Sequence, residues 1–208
     1  MVLGAGTVYA DGPAPNPNLT AQWWPYIVSI PPGINPGLDA TGTNCGLGQR
    51  GPIWFLVGTF STGPAVRSCS IPAGEALLVP VVNYVNINTP NVCGSPNQTV
   101  AELRAQSAPI VDGATNMSVE VDQHPIEDMV RVKSSPFAVS IPADNIFNSP
   151  GCQVPAAIYS PAVDDGYYVL LNPLKVGTHT LHIHGEIPSI QFVVDVTYNL
   201  TIVPVQLK

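Results

Sequence analysis

Apolar and polar residues alternate most regularly near the C-terminus. In IQFVVDVTYNLTIV (190–203), Ile190, Phe192, Val194, Val196, Tyr198, Leu200 and Ile202 share one face, while Asp195, Thr197, Asn199 and Thr201 share the other. A period of two marks a strand with one face against a core. Strands are read in the same way at IWFLVGTF (53–60), VRSCSI (66–71), ALLVPVVNYV (76–85), NMSVEVD (116–122), MVRV (129–132), FAVSI (137–141) and YYVLLN (167–172). STGPA and PAGE are turn chemistry, QHPIED is a hairpin connection, and DDG (164–166) makes a turn into YYVLLN. Residues 11–52, rich in Pro, Gly and Asn, read as loops around one short strand, WWPYIVSI (23–30), with Trp23 and Trp24 anchoring the loops to the core.

One segment carries helix signals. Thr99 and Glu102 form a capping box ahead of an apolar face made by Val100, Leu103 and Ile110, which predicts a helix over 99–111. About ten strands and one short helix predict an all-β fold, an antiparallel two-sheet β-sandwich. A chain of 208 residues suits one domain, here 11–208, preceded by a distinct apolar segment, 1–10.

Composition narrows the setting. Apolar residues make up 45% of the chain and charged residues only 10%, against a usual value of roughly 25%. Thr, Ser, Asn, Gln, Gly and Pro must therefore cover the surface, which suits a secreted or cell-surface protein whose neighbours or glycans do the solubilising. The net charge is −7 and the seven basic residues are scattered singly, so nucleic acid is not an expected partner. No apolar run approaches the ~18 residues needed to span a bilayer. Cys45, Cys69, Cys93 and Cys152 are dispersed without a C-x-x-C, which predicts two disulfides formed in an oxidising compartment. Of the possible pairings, Cys45 with Cys69 and Cys93 with Cys152 is preferred. Sequons at Asn18, Asn97, Asn116 and Asn199 are glycosylation acceptors, and Asn199 falls on the polar face of its strand.

The segment MVLGAGTVYA resembles the end of a secretory leader, with Val8 and Ala10 at the small-residue positions before a cleavage point, although it lacks a basic start. Its other reading is a donor strand. Val2, Leu3, Val8 and Tyr9 would then pack on a neighbouring subunit whose open sheet edge the segment completes, producing a head-to-tail, pilus-like filament.

Candidate chemistry centres on GTHTLHIHGE (177–186). In a strand, Thr180, His182 and His184 point one way, and His179, Leu181 and Ile183 the other. His182 and His184 then project together from the outer face, spaced to approach one Cu²⁺ or Zn²⁺, with Glu186 and His124 as further candidate ligands. HTLHIHG resembles the H-x-H-G copper-ligand strands of multicopper oxidases and cupredoxin-like sandwiches. That resemblance implies at most one copper or zinc ion, because the chain has a single H-x-H and its cysteines are assigned to disulfides. The competing reading has His182 and His184 as solvent-facing strand residues and His179 hydrogen-bonded near a turn, with no cofactor. Glu120, Asp122, Glu127 and Asp128 cluster around a hairpin, as a Ca²⁺ site or a glycosidase-like pair would require. Asp164 and Asp165 read as turn formers.

The stretches CGLGQRGPIWFLVGTF, RSCSIPAGEALLVPVVN, DDGYYVLLNPLKVGTHTLHIHG and FVVDVTYNLTIVP are together similar, in order and wording, to a family of secreted microbial proteins without an established reaction. The resemblance implies export and a compact β-fold. The expectation is a non-catalytic extracellular protein with a structural or binding role, sharpened as a self-assembling filament subunit. A mononuclear copper or zinc protein, acting as oxidoreductase or metal carrier, is the alternative. A carbohydrate-binding module using Trp23, Trp24 or Tyr167 is the third.

Overall fold

The computed structural model describes residues 12–205. The donor-strand residues Val2, Leu3, Val8 and Tyr9 lie outside the described residues. The first described element is a helix where the sequence suggests a strand. The Asn16 side chain accepts hydrogen bonds from the N–H groups of Asn18 and Leu19, and Pro17 occupies the first turn, so α1 runs Pro17–Val28. Leu19, Trp23, Trp24, Ile27 and Val28 recur at helical spacing and are buried together. Pro25 and the β-branched Ile27–Val28 pair mimic a strand, but the cap and the period of 3.6 decide the outcome.

Ten strands and a second helix follow among the described residues: β1 (Ile53–Phe55), β2 (Ala65–Pro72), β3 (Ala76–Ile87), α2 (Val100–Asp112), β4 (Thr115–Val121), β5 (His124–Pro125), β6 (Val130–Lys133), β7 (Phe137–Ile141), β8 (Ala157–Leu171), β9 (Gly177–Ile187) and β10 (Phe192–Val203). The first sheet is ordered β1-β3-β8-β6, with β7 also pairing β8, and the second is β2-β10-β9-β4-β5. Pairing is antiparallel except for β1 with β3 and β2 with β10. This is the expected sandwich, with mixed sheets.

Leu77, Val79, Val81 and Val82 of β3, with Val169 and Leu171 of β8, pack between the sheets against Leu181, Ile183, Val194, Val196 and Leu200. Burying side chains of this size contributes roughly 1.5–3 kcal/mol each. On the other face of the first sheet, Trp23, Trp24 and Ile27 of α1 cover Leu78, Tyr168 and Leu170. The capping box of α2 forms as expected, Thr99 Oγ1 accepting from Glu102 N–H and a Glu102 carboxylate oxygen accepting from Thr99 N–H. The disulfides are Cys45–Cys69 and Cys93–Cys152, with Cα–Cα separations of 5.9 and 5.6 Å.

Two turn assignments are corrected. Asp164, Asp165 and Gly166 do not turn; they lie in the middle of β8, and both aspartates are buried. Gly166 is a strand glycine, opposite Asn83 beside a bulge in β3, where a Cβ would collide with Asn83 and the Val82 carbonyl. QHPIED is only partly a hairpin. Asp122 and Gln123 take left-handed conformations and fold the two-residue β5 back on β4, after which the chain crosses to β6 in the other sheet.

Candidate functional site

The site begins with an unfinished hydrogen-bond ladder. β1 pairs only Ala76, Leu77 and Leu78 of β3, so from Val79 to Ile87 β3 has β8 on one side and, among the described residues, no strand on the other. The direction of the unpaired groups follows from β8. The Asp164 carbonyl accepts from Ser134 N–H, and Asp164 N–H donates to Ser134 Oγ, so both point away from β3. Val85 is the cross-strand partner of Asp164. In an antiparallel pair of that kind both residues turn their backbone groups outward, so Val85 presents its N–H and C=O to the open side, and Asn83 and Ile87 do the same. Pro80 falls in the same register relative to Tyr168 and needs no partner for a donor it lacks. Asn83 to Ile87 are half-buried.

An apolar cleft of about 370 Å³ runs beside this edge. Each wall comes from a different part of the chain: Trp24 from α1, Phe60 from the segment after β1, Phe147 from the loop after β7, and Ile190 and Phe192 from the turn into β10. A second hollow of about 210 Å³ shares Val85 and Phe147 and continues past Ile87 to Ile141 and Val154. No charged side chain lines either one among the described residues. The Phe147 loop is held by Asn145, whose Nδ2 donates to the carbonyls of Pro142 (2.8 Å) and Val154 (3.0 Å), and by Cys152, bonded to Cys93 beyond β3.

The floor is a buried polar hub. Trp24 Nε1–H donates to Asp164 Oδ1 at 2.8 Å, Tyr168 O–H donates to Oδ2 at 2.5 Å, and Asn83 Nδ2–H donates to the Tyr168 hydroxyl at 3.0 Å. Of the cleft residues, Trp24 is thereby fixed to the carboxyl directly and Asn83 through the Tyr168 hydroxyl. Burial pushes the Asp164 pKa up to about 7 despite these donors. Burial likewise carries Tyr168 well above the ordinary phenol value. Next to it, Asp165 takes both Nε–H (2.8 Å) and an Nη2–H (2.9 Å) from Arg131, whose guanidinium also reaches Asp112 on α2 and lies over the Tyr167 ring. Asp164 is fully buried with both oxygens occupied, so it cannot meet a substrate. The cleft offers apolar surface, the Asn83 and Tyr84 side chains and the outward peptide groups of β3.

The histidines lie elsewhere. Leu181, Ile183 and Gly185 of β9 are buried, and His182 and His184 stand on the outer face of the second sheet with ring centroids 6.4 Å apart. His182 Nε2 meets Asp195 Oδ1 at 2.9 Å, and His184 Nε2 meets Glu186 Oε1 at 3.2 Å. Glu186 is thus a partner of His184 on the same face. His124 is not brought to the pair. It lies opposite the core-facing Val121, and cross-strand partners share a face, so it belongs to the other side of the sheet. His124 Nδ1 contacts the Asp122 carbonyl; His179 contacts Asp122 Oδ2 through Nδ1 and the Lys175 carbonyl through Nε2. No group of three or more His, Cys, Asp or Glu positioned for a metal ion occurs among the described residues. Gly185, which completes the H-x-H-G pattern, has a packing reason, since a Cβ there would collide with Val82.

The remaining candidates disperse too. Glu120 faces outward opposite His182, Asp122 is tied to β9, and Glu127 and Asp128 are exposed, so the four acids form no shared site. Trp23 and Trp24 are only 1% and 6% exposed and Tyr167 lies against Arg131, so these three rings do not form an exposed stacking platform. The sequon asparagines Asn18, Asn97, Asn116 and Asn199 are all exposed. Sequence reasoning missed Phe60, Asn83, Phe147 and the open edge of β3; their only signal is long-range, because each side chain comes from a different segment. Comparison with protein-family models and with curated proteins finds no match.

Proposed function

We propose that this is an exported, non-catalytic protein with a structural or binding role at the cell surface, which holds an extended apolar chain segment as an added strand on β3. One observation carries the reading: the outward backbone groups of Asn83, Val85 and Ile87 border an uncharged apolar cleft. An added strand gains main-chain hydrogen bonds from such an edge while its alternate side chains enter the cleft. Two disulfides and the low content of charge support the setting outside the cell. Among the described residues no helix is long and apolar enough to cross a membrane.

The test is selection of peptides of about nine residues from a random library on the purified chain. Selected peptides are expected to be uncharged, with alternating apolar residues, and to bind at least tenfold more weakly to Val85→Pro. That change removes an N–H facing the open side and leaves the β3–β8 ladder intact. Binders indifferent to Val85→Pro, or no binders at all, would sink the proposal.

A further inference from the structure

We infer that Asn83 is the residue that reads the captured strand, and that the chain from Asp164 through Tyr168 sets whether its side chain offers that strand an acceptor or donors. The inference rests on strand capture at β3 and deepens it by naming a specificity determinant and what controls it. Asn83 is half-buried, lines the cleft and turns its backbone groups to the open side, so an added strand sets one of its own side chains opposite. The Asn83 amide makes one hydrogen bond among the described residues, from Nδ2 to the Tyr168 hydroxyl at 3.0 Å, which leaves Oδ1 for the visitor.

The chain has a direction. Every donor in it points inward: Asn83 Nδ2–H to Tyr168 Oη, Tyr168 O–H to Asp164 Oδ2, and Trp24 Nε1–H to Asp164 Oδ1. A carboxylate only accepts, so this is the arrangement of ionised Asp164. A proton added to the carboxyl has one place to settle. An indole N–H only donates, so Oδ1 must stay an acceptor and the proton goes to Oδ2. From there it donates to Tyr168 Oη, and the hydroxyl hydrogen of Tyr168 needs a new acceptor. The other polar group bonded to that hydroxyl is the Asn83 amide, which serves once it turns over and Oδ1 replaces Nδ2. An unturned amide would leave a buried O–H without an acceptor, which interiors avoid. All three contacts survive with two reversed, and Asn83 then shows the visitor its amide nitrogen in place of its oxygen.

The proton is within reach near neutrality, since burial raises Asp164 to about 7. Of the charged groups around it, Asp165 on β8 opposes its ionisation and Arg104 on α2 favours it. On β6, Arg131 is bonded to Asp165, and Lys133 stands across from Asp165 as well; so does Tyr84 on β3. No Asp, Glu, Lys, Arg or His occurs in α1, β3 or β7. Tyr168 keeps its proton throughout, because burial carries it well above the ordinary phenol value.

The experiment follows the Asn83 side-chain amide by NMR in the isotopically labelled full chain, from about pH 5.5 to about pH 8.5. At the upper end the Asn83 Nδ2 protons should show NOEs to the Tyr168 ring ε protons. At the lower end those NOEs should disappear, with the midpoint of the Asp164 carboxyl carbon titration. Asp164→Asn puts a permanent N–H donor where the protonated carboxyl has its O–H, so it should hold the low-pH pattern across the range. The nine-residue peptide library is then selected at both ends of the range. Trp at the position facing Asn83 only donates, so it should be enriched about threefold or more at high pH over low pH, and equally at both with Asp164→Asn. NOEs that do not change with pH in the wild-type chain overturn the inference, even where peptides are captured. Pools with no Trp difference overturn the reading role of Asn83. If the NOEs switch and no peptide is selected, strand capture falls, and the reading of a strand with it, while the relay from Asp164 to Asn83 stands.

Discussion

The outer face of the second sheet and the open edge of the first make opposite demands on their surroundings. On the outer face, His182 and His184 are already matched by Asp195 and Glu186, and β9 is paired on both sides at the two histidines. At the edge, Asn83, Val85 and Ile87 turn backbone groups toward a side where no described strand meets them, beside Phe60, Phe147 and Phe192. Unmet hydrogen-bonding capacity next to apolar surface is a better indicator of a partner than a conspicuous run of one residue type.

If the edge is the built site, its floor should be the costliest place to disturb. Asp164→Ala removes the acceptor of Trp24 Nε1–H and Tyr168 O–H in a fully buried position. Unpartnered buried donors cost about 1–3 kcal/mol each, so a loss of about 3 kcal/mol or more is expected in denaturant unfolding. A loss under about 1 kcal/mol would mean that the hub is not what holds Trp24 and Asn83 in place. Next in size is the far wall. Replacing Cys93 and Cys152 by serine opens a link between residues 59 apart in sequence, with an expected cost of about 2–4 kcal/mol in thermal or chemical unfolding. The same change should raise hydrogen exchange across residues 142–156 while leaving β9 and β10 protected.

The hub also makes stability depend on pH. Asp164 is raised from 3.8 to about 7 in the folded protein, chiefly by burial. Between those values the folded state holds a proton that the unfolded state has released, so this group's stabilising contribution falls as pH rises through the window and levels off above about 7. From pH 6 to pH 8 the expected loss is about 1 kcal/mol, and Asp164→Asn should flatten it. An unchanged slope in Asp164→Asn would assign the pH dependence to other groups.

Legibility in the sequence followed the range of the interactions. The alternation in 190–203 and the Thr99–Glu102 box are local signals, and both produced the expected element. α1 was hidden because Pro25 and Ile27–Val28 imitate a strand, while the deciding Asn16 cap lies outside the apolar run. DDG imitated a turn because a glycine required by close approach of β3 has the same letter as one required by a bend. The cleft had no local signature at all. Its walls come from α1, from two loops, from β3 and from the entry to β10, and its hydrogen-bonding demand arises because β1 ends at Phe55 while β3 runs on to Ile87.

The smallest expected effect belongs to the most visible motif. His182 and His184 have side chains about a third exposed, each paired with a carboxylate that water also reaches. Pairs of that kind contribute at most about 1 kcal/mol, so His182→Ala and His184→Ala should each move stability by about 0.5 kcal/mol or less. A tight transition-metal site requires at least three ligands in a common geometry, and the two rings with their separate carboxylates do not supply one. Protein dialysed against buffered Cu²⁺ or Zn²⁺ and then washed should therefore retain far less than one ion per chain by elemental analysis. One retained ion per chain, lost in the His182→Ala/His184→Ala double variant, would reverse the comparison. The histidine face would then be the site and the β3 edge a tolerated irregularity.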